Sequence, residues 1–206
     1  MYEIQKKDFE RLIALYLEAF ADYPKLMEDF PDDADRQKAL EAALRFYAAY
    51  DLCYGRGFAL DRDLHEAALF VPSEEMRYTA ERCRRAGCFS RAYERASRAL
   101  TPALRQKREA LFAEMDRLEA DLPIPQPHLY VDLVGVQPRF QGRGRGRRLM
   151  RAVAAVAEKR KRPLMLFTNT EKDVAFYRSL GFRRLGETHS PRFGFTNVYL
   201  VRDAGA

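Results

Sequence analysis

The run Gln141-Gly-Arg-Gly-Arg-Gly-Arg-Arg148 sets three glycines at alternate positions among four arginines. Glycine lets backbone come close to a ligand and take up a positive φ. Where such a run opens a helix, its first amides lack intrahelical acceptors and point outward. Those amides, with the helix dipole behind them, favour an anion and above all a phosphate. The nucleotide fingerprints do not fit, because no Gly-Lys-Ser/Thr follows and no Gly-x-Gly-x-x-Gly leads to a downstream ribose-binding acid. Cys53, Cys83 and Cys88 are odd in number and lack metal-type spacing, so small, mostly buried free thiols are expected and a metal is not.

The turn needs a strand before it and a helix after it. HLYVDLVGV, residues 128–136, is nearly continuous in apolar residues, as a strand covered on both faces is. Beyond the turn, Leu149, Met150, Val153, Ala154, Val156 and Ala157 fall on one helical face, and PLMLFTN, residues 163–169, reads as a second buried strand. Thr170, with Asp173 three residues on, opens a short helix in the manner of a capping box, and Gly181 closes it. FRRLGETH and FGFTNVYLV supply two last strands. Upstream, Phe9, Leu12, Ile13, Tyr16 and Phe20 share one helical face, as do Leu40, Ala43, Leu44 and Tyr47. ADYPKLMEDFPDD connects these two helices, and residues 53–71 read as two strands joined by a turn around Asp61-Arg-Asp63. From Pro72 to about Leu122 the pattern is helical, with Thr101-Pro102 as N-cap and first helical position. Leu104, Leu111, Met115, Leu118 and Leu122 form its stripe.

Two motifs in register carry a resemblance. Val136-x-Pro138-x-x-Gln141-Gly142-x-Gly144-x-Gly146-x-x-Leu149 resembles the acyl-CoA signature of the GNAT superfamily of N-acetyltransferases. Phe176-Tyr177-x-x-Leu180-Gly181-Phe182 is similar to its second signature, one helix and one strand further on. The resemblance implies an α/β (α+β) fold with a mixed, mostly antiparallel central sheet flanked by helices, and a helical insertion at about 74–122. It implies acetyl-CoA as cosubstrate, with Gln141, Gly142, Arg143, Gly144, Arg145 and Gly146 around its pyrophosphate and Val134 and Val136 offering strand backbone to the pantetheine arm. Asn169 is expected near that arm, and Tyr177 is expected to protonate the leaving thiolate. Arg145 departs from the family pattern, which more often has an aliphatic residue there, and its side chain is expected in solvent. Ala19-Phe20-x-x-Tyr23-Pro24 and the insertion are similar to the bacterial branch around puromycin N-acetyltransferase.

Acetyl transfer from a thioester needs a neutral amine, a stabilised oxyanion and a protonated leaving sulfur. The residues leave the base open among Asp132 and His128 before the turn, Glu28 and Asp29 in the acidic connection, and water. The expected activity is acetyl-CoA-dependent transfer to a primary amine of a small molecule by direct attack. A CoA-binding protein without catalysis is the alternative on the same fold.

Charge bears on partners. Residues 138–162 hold ten basic residues against Glu158 alone, a local +9 in a chain of net +6, so the remainder sums to −3. Such a cluster could hold a nucleic-acid backbone, but Phe140 is its sole aromatic, where base stacking needs several. With 206 residues, 47% hydrophobic and 32% charged, one domain over 1–206 is expected. A cytoplasmic monomer or homodimer is expected, with no nucleic-acid or membrane partner.

Overall fold

The computed structural model describes residues 1–23 and 33–205. Chain order is β1 (Tyr2–Glu3), α1 (Phe9–Phe20), α2 (Asp33–Tyr54), β2 (Arg56–Ala59), β3 (Glu66–Pro72), α3 (Ala80–Ala86), α4 (Arg91–Arg98), α5 (Pro102–Glu119), β4 (Leu129–Val136), α6 (Arg145–Lys159), β5 (Leu164–Thr168), α7 (Glu171–Arg178), β6 (Arg183–Ser190) and β7 (Phe195–Arg202). The strands form one sheet in the order β1-β2-β3-β4-β5-β7-β6. Every neighbouring pair is antiparallel except β4 and β5. The expected mixed, mostly antiparallel sheet with flanking helices is therefore observed.

The apolar stripes explain the layers. Leu149, Met150, Val153, Ala154 and Ala157 of α6 and Val174 of α7 pack on one sheet face against Phe70, Leu129, Val131, Leu166 and Leu200. Leu12, Ile13, Leu15 and Tyr16 of α1, with Leu40, Leu44 and Ala48 of α2, cover the other face. Burial of these stripes, about 25 cal/mol per Å² of apolar surface, holds the layers together.

The region from Pro72 to Leu122 resolves into three helices, because Gly87 and the Leu100-Thr101 junction interrupt the pattern. Gly87 caps α3 with φ 80°, and Thr101 caps α5 by accepting from the Leu104 amide. The two-residue strand β1 is too short to show a period in sequence. Cys83 and Cys88 are buried, whereas Cys53 is exposed; all three are free thiols.

Candidate active site

The parallel strands β4 and β5 pair only at Leu129–Leu164 and Tyr130–Met165. Beyond that register both run on, β4 to Val136 and β5 to Thr168, so their C-terminal halves splay apart. Val134 and Val136 lie on the unpaired half of β4, facing β5 with backbone groups that no β5 ladder occupies. On its other edge β4 stays paired with β3, with one irregularity. Leu69 faces Leu133 and Phe70 faces Val131, leaving Asp132 as an extra residue. This is a β-bulge, a device that re-aims a side chain. Its effect can be traced in the packing. Val131 and Val134 join the α6 face, while Leu133 joins the α1–α2 face, and the Asp132 carboxyl also meets α2, at Asp51.

Gly142 and Gly144 have φ of 72° and 73°, the left-handed region that a side chain strains. Gly144 is the N-cap of α6 and offers no capping oxygen. Helices α3, α4, α5 and α7 are instead capped by Thr79, Ser90, Thr101 and Thr170. Among the described residues no acceptor meets the amides of Gly142, Arg143, Gly144, Arg145, Gly146 or Arg147, the first helical bond being Arg148 N–H to Gly144 O at 3.0 Å. Gln141 differs from the expectation. Its amide donates to Pro138 O at 3.1 Å and its side chain to Val136 O at 3.0 Å, so it closes the turn and has no free amide.

Arg145 also departs from expectation, because its side chain turns inward. Its guanidinium pairs with Glu66, which is 0% exposed, and with Asp61 at 2.8 Å. An arginine in the first turn opposes the helix dipole; the two carboxylates offset that charge and pin the start of α6 to the β2–β3 hairpin. Phe140 gathers the turn. His65 stacks on its ring at 3.8 Å, and the guanidinium carbons of Arg139, Arg143 and Arg145 lie 5.1, 5.7 and 5.7 Å from its centroid.

On the β5 side, Asn169 follows the strand end and is held at both ends of its amide. Its Oδ1 accepts from the Tyr23 hydroxyl at 3.2 Å, and its Nδ2 donates to Thr196 O at 3.0 Å and to Asn197 Oδ1. Thr170 caps α7 by accepting from the Asp173 amide at 3.1 Å. The expected reciprocal bond is replaced: the Asp173 carboxylate accepts from the hydroxyls of Thr170 at 2.7 Å and Thr168 at 3.2 Å. Tyr177, half-buried on α7, packs edge-on against Phe176 and Phe182. Burial first, then the charge of Asp173, raises its hydroxyl above the ordinary tyrosine value, so it stays protonated at neutral pH.

His128 sits at the opposite end of β4 from the turn, seven residues or roughly 23 Å along the strand from Gly135. It is buried, its Nδ1 lies 2.8 Å from Pro125 O, and burial lowers its pKa. That placement separates it from the splay. Glu28, Asp29 and Pro24 lie outside the described residues. Glu66, Asp61, Tyr23 and Asn197 support the site from elements that the motifs do not reach; an acid opening the otherwise apolar strand Glu66–Pro72 is the available hint for Glu66.

Comparison with known proteins finds likeness over the same segment. Residues 104–184 match the family model described as "Acetyltransferase (GNAT) domain", a span that takes in the turn, α6, β5 and α7. A 56-residue stretch is 43% identical to the N-alpha-acetyltransferase RimI of Mycobacterium tuberculosis, covering 27% of this chain and 35% of that protein. The match thus spans about a third of the curated relative. Over its full length the fold is similar to histone acetyltransferase HPA2 and related acetyltransferase from Corynebacterium glutamicum, with TM-score 0.59, 18% identity and 100% and 96% of the two chains covered. It is also similar to an apo serine-to-alanine variant of agmatine N-acetyltransferase, with TM-score 0.56, 18% identity and 98% of each chain covered. The chain has the fold of these acetyltransferases, and its residues 104–184 are similar to the GNAT acetyltransferase domain. Among the described residues no group of three or more His, Cys, Asp or Glu could hold a metal ion, and no helix is long and apolar enough to cross a membrane.

Proposed function

We propose that the chain is an acetyl-CoA-dependent N-acetyltransferase that acts on a primary amine by direct attack in a ternary complex. The observation that carries this reading is the run of six unaccepted amides, Gly142 to Arg147, at the mouth of the β4–β5 splay. Gly142, Arg143, Gly144, Arg145 and Gly146 supply backbone donors to a pyrophosphate, and the Arg143 guanidinium, unlike that of Arg145, adds its charge. Val134 and Val136 bond the amide groups of the pantetheine arm in place of the missing β5 ladder, with Asn169 at the facing strand end. An amide of splayed β4 polarises the thioester carbonyl, as oxyanion donors do.

The amine nitrogen attacks the carbonyl carbon, forming C–N, and the C–S bond breaks. The leaving thiolate takes the hydroxyl proton of Tyr177, and the attacking nitrogen gives up one N–H proton to water, which reprotonates Tyr177. An ammonium acceptor loses one further proton, so the products are the amide, the CoA thiol and a proton released to solvent.

The acceptor is proposed to be a small-molecule amine, because the helices over the splay, α1 and α2, enclose its α1–α2 side. A narrower kinship with puromycin N-acetyltransferase rests on the Ala19-Phe20-x-x-Tyr23-Pro24 segment, the insertion and the stretch from His128 to Val136. The stretch shared with an N-alpha-acetyltransferase favours a second reading, a peptide N-terminal amine. Release of CoA thiol from acetyl-CoA, followed over aminonucleosides, polyamines, amino acids, aminoglycosides and short peptides, tests both. Small amines are expected to react. Turnover confined to peptides would select the second reading, and no turnover with any amine would leave a CoA-binding protein without catalysis.

A further inference from the structure

Beside the splay, on the α1–α2 face of the sheet, lie two carboxyls that nothing described so far uses. Asp51 of α2 is 0% exposed, and neither of its oxygens receives a hydrogen bond from an N–H or O–H of the described residues. The Asp132 Oδ2 is likewise buried and unmet. The two carboxyls lie on elements in contact, α2 and β4, and each bears on the other's proton affinity. No Lys or Arg among the described residues pairs with either. A lone buried carboxylate is costly to hold, and a buried polar group without a partner calls for a ligand, a catalytic role or a stored strain.

The surroundings point to a cation. The Tyr16 ring fills the space above Gly135, and burial, then the charges of Asp51 and Asp132, raise its hydroxyl well above the ordinary tyrosine value. That hydroxyl donates to Leu133 O at 3.3 Å, next to the bulge. On the outer side, the Tyr50 and Tyr78 rings lie 4.4 Å apart, with Tyr47 edge-on to Tyr78 at 6.1 Å. Tyr78 is 40% exposed, yet Asp132 and Asp51 both act on its hydroxyl. Tyr47 and Asp51 are one turn apart on α2, so this aromatic cluster, which reaches the surface at Tyr78, shares a helix face with Asp51. Aromatic faces beside paired carboxyls suit an alkylammonium group.

Resting on the transferase reading above, we propose that Asp51 and Asp132 form its acceptor subsite, binding a protonated primary alkylamine and taking up the proton that it must lose. The ammonium gives one proton to an ionised oxygen of the pair, and the freed lone pair attacks the thioester carbonyl as described. The proton leaves the pair for water when the amide departs. Burial lifts Asp132 to about 6 and Asp51 above its ordinary value, which brings the pair toward the range a base needs near neutrality. An amine with its own carboxylate is repelled by the two acids, so free amino acids are poor acceptors.

The test uses the purified full chain, with calorimetric titration of acetyl-CoA and with CoA release in the presence of n-butylamine, 1,4-diaminobutane or glycine. Wild type should bind acetyl-CoA and favour both alkylamines over glycine by ~10-fold or more in kcat/KM. Asp51→Asn and Asp132→Asn should bind acetyl-CoA within about threefold of wild type and lose ~10²-fold or more in kcat/KM for the alkylamines. Asp51→Asn with near-normal kcat/KM overturns the inference, as does a wild type that binds acetyl-CoA yet uses glycine as well as the alkylamines, or none of the three. The wild-type preference needs no substitution, so it decides the point even where a variant fails to fold. Absence of acetyl-CoA binding by wild type removes the transferase reading itself, and the inference with it.

Discussion

At the scale of single residues, Tyr177 and the two arginines flanking Gly144 make separable predictions. Tyr177→Phe keeps the ring against Phe176 and Phe182 and removes only the hydroxyl. Turnover should fall by ~10²–10⁴-fold if that proton is given in the transition state, while acetyl-CoA affinity changes little. Turnover within a factor of two of wild type, measured where chemistry limits the rate, would strike Tyr177 from the mechanism. Arg145 and Arg143 are neighbours in sequence with opposite duties. Arg145→Met leaves Glu66 buried with the Leu60 amide but without its cationic partner, a loss on the order of 3 kcal/mol, which should appear as a lower melting temperature. Arg143→Ala should leave the melting temperature near wild type and weaken acetyl-CoA binding. Thermal melts and calorimetry on the two variants check this; equal effects on stability would contradict the division of roles.

At the scale of elements, the strand-turn-helix unit from Leu129 to Lys159 is the part most legible in sequence. Its apolar run, glycine spacing and amphipathic stripe each encode one local geometry, and the three agree. Gly144 tests that unit. No neighbour lies within 4 Å of where its Cβ would be, so the obstacle is the φ of 73° and not lack of space. Gly144→Val should cost ~1–2 kcal/mol in strain at that residue and weaken acetyl-CoA binding by more than that strain alone would suggest, because the turn carries the donors. A variant that folds and binds acetyl-CoA as wild type does would show that the turn is only a turn. The less legible elements depend on partners distant in sequence. The bulge at Asp132 exists only relative to β3, and Glu66 finds Arg145 across 79 residues. Asn169 finds Tyr23 across 146, so its support could not be read from either motif. Three helices in place of one pattern over 72–122 reflect local caps at Thr79, Gly87, Ser90 and Thr101, which apolar periodicity does not contain.

At the scale of the whole molecule, function and stability should oppose each other at Asp51 and Asp132. Both carboxyls bind protons more tightly in the folded state than in the unfolded chain, so stability declines as pH rises. For Asp132 the decline runs from its ordinary value of 3.8 to about 6, and Asp51 carries it further upward. Asp51→Asn should remove part of that decline and raise the melting temperature at pH 8, by about 2–4 °C for each kcal/mol relieved in a chain of this size, with little gain at pH 4. A variant less stable than wild type at pH 8 would show that the pair is a structural asset. Such a gain alongside lost turnover is the pattern of a site kept for activity. The predictions on turnover and acetyl-CoA affinity presuppose that the amides of Gly142 to Arg147 hold a cofactor phosphate, and a thermal melt of wild type with and without acetyl-CoA tests that claim most directly. At a hundredfold excess over its dissociation constant, acetyl-CoA should stabilise the fold by ~2.7 kcal/mol, a rise of several degrees that Gly144→Val diminishes. A melting temperature unmoved by millimolar acetyl-CoA would contradict the account.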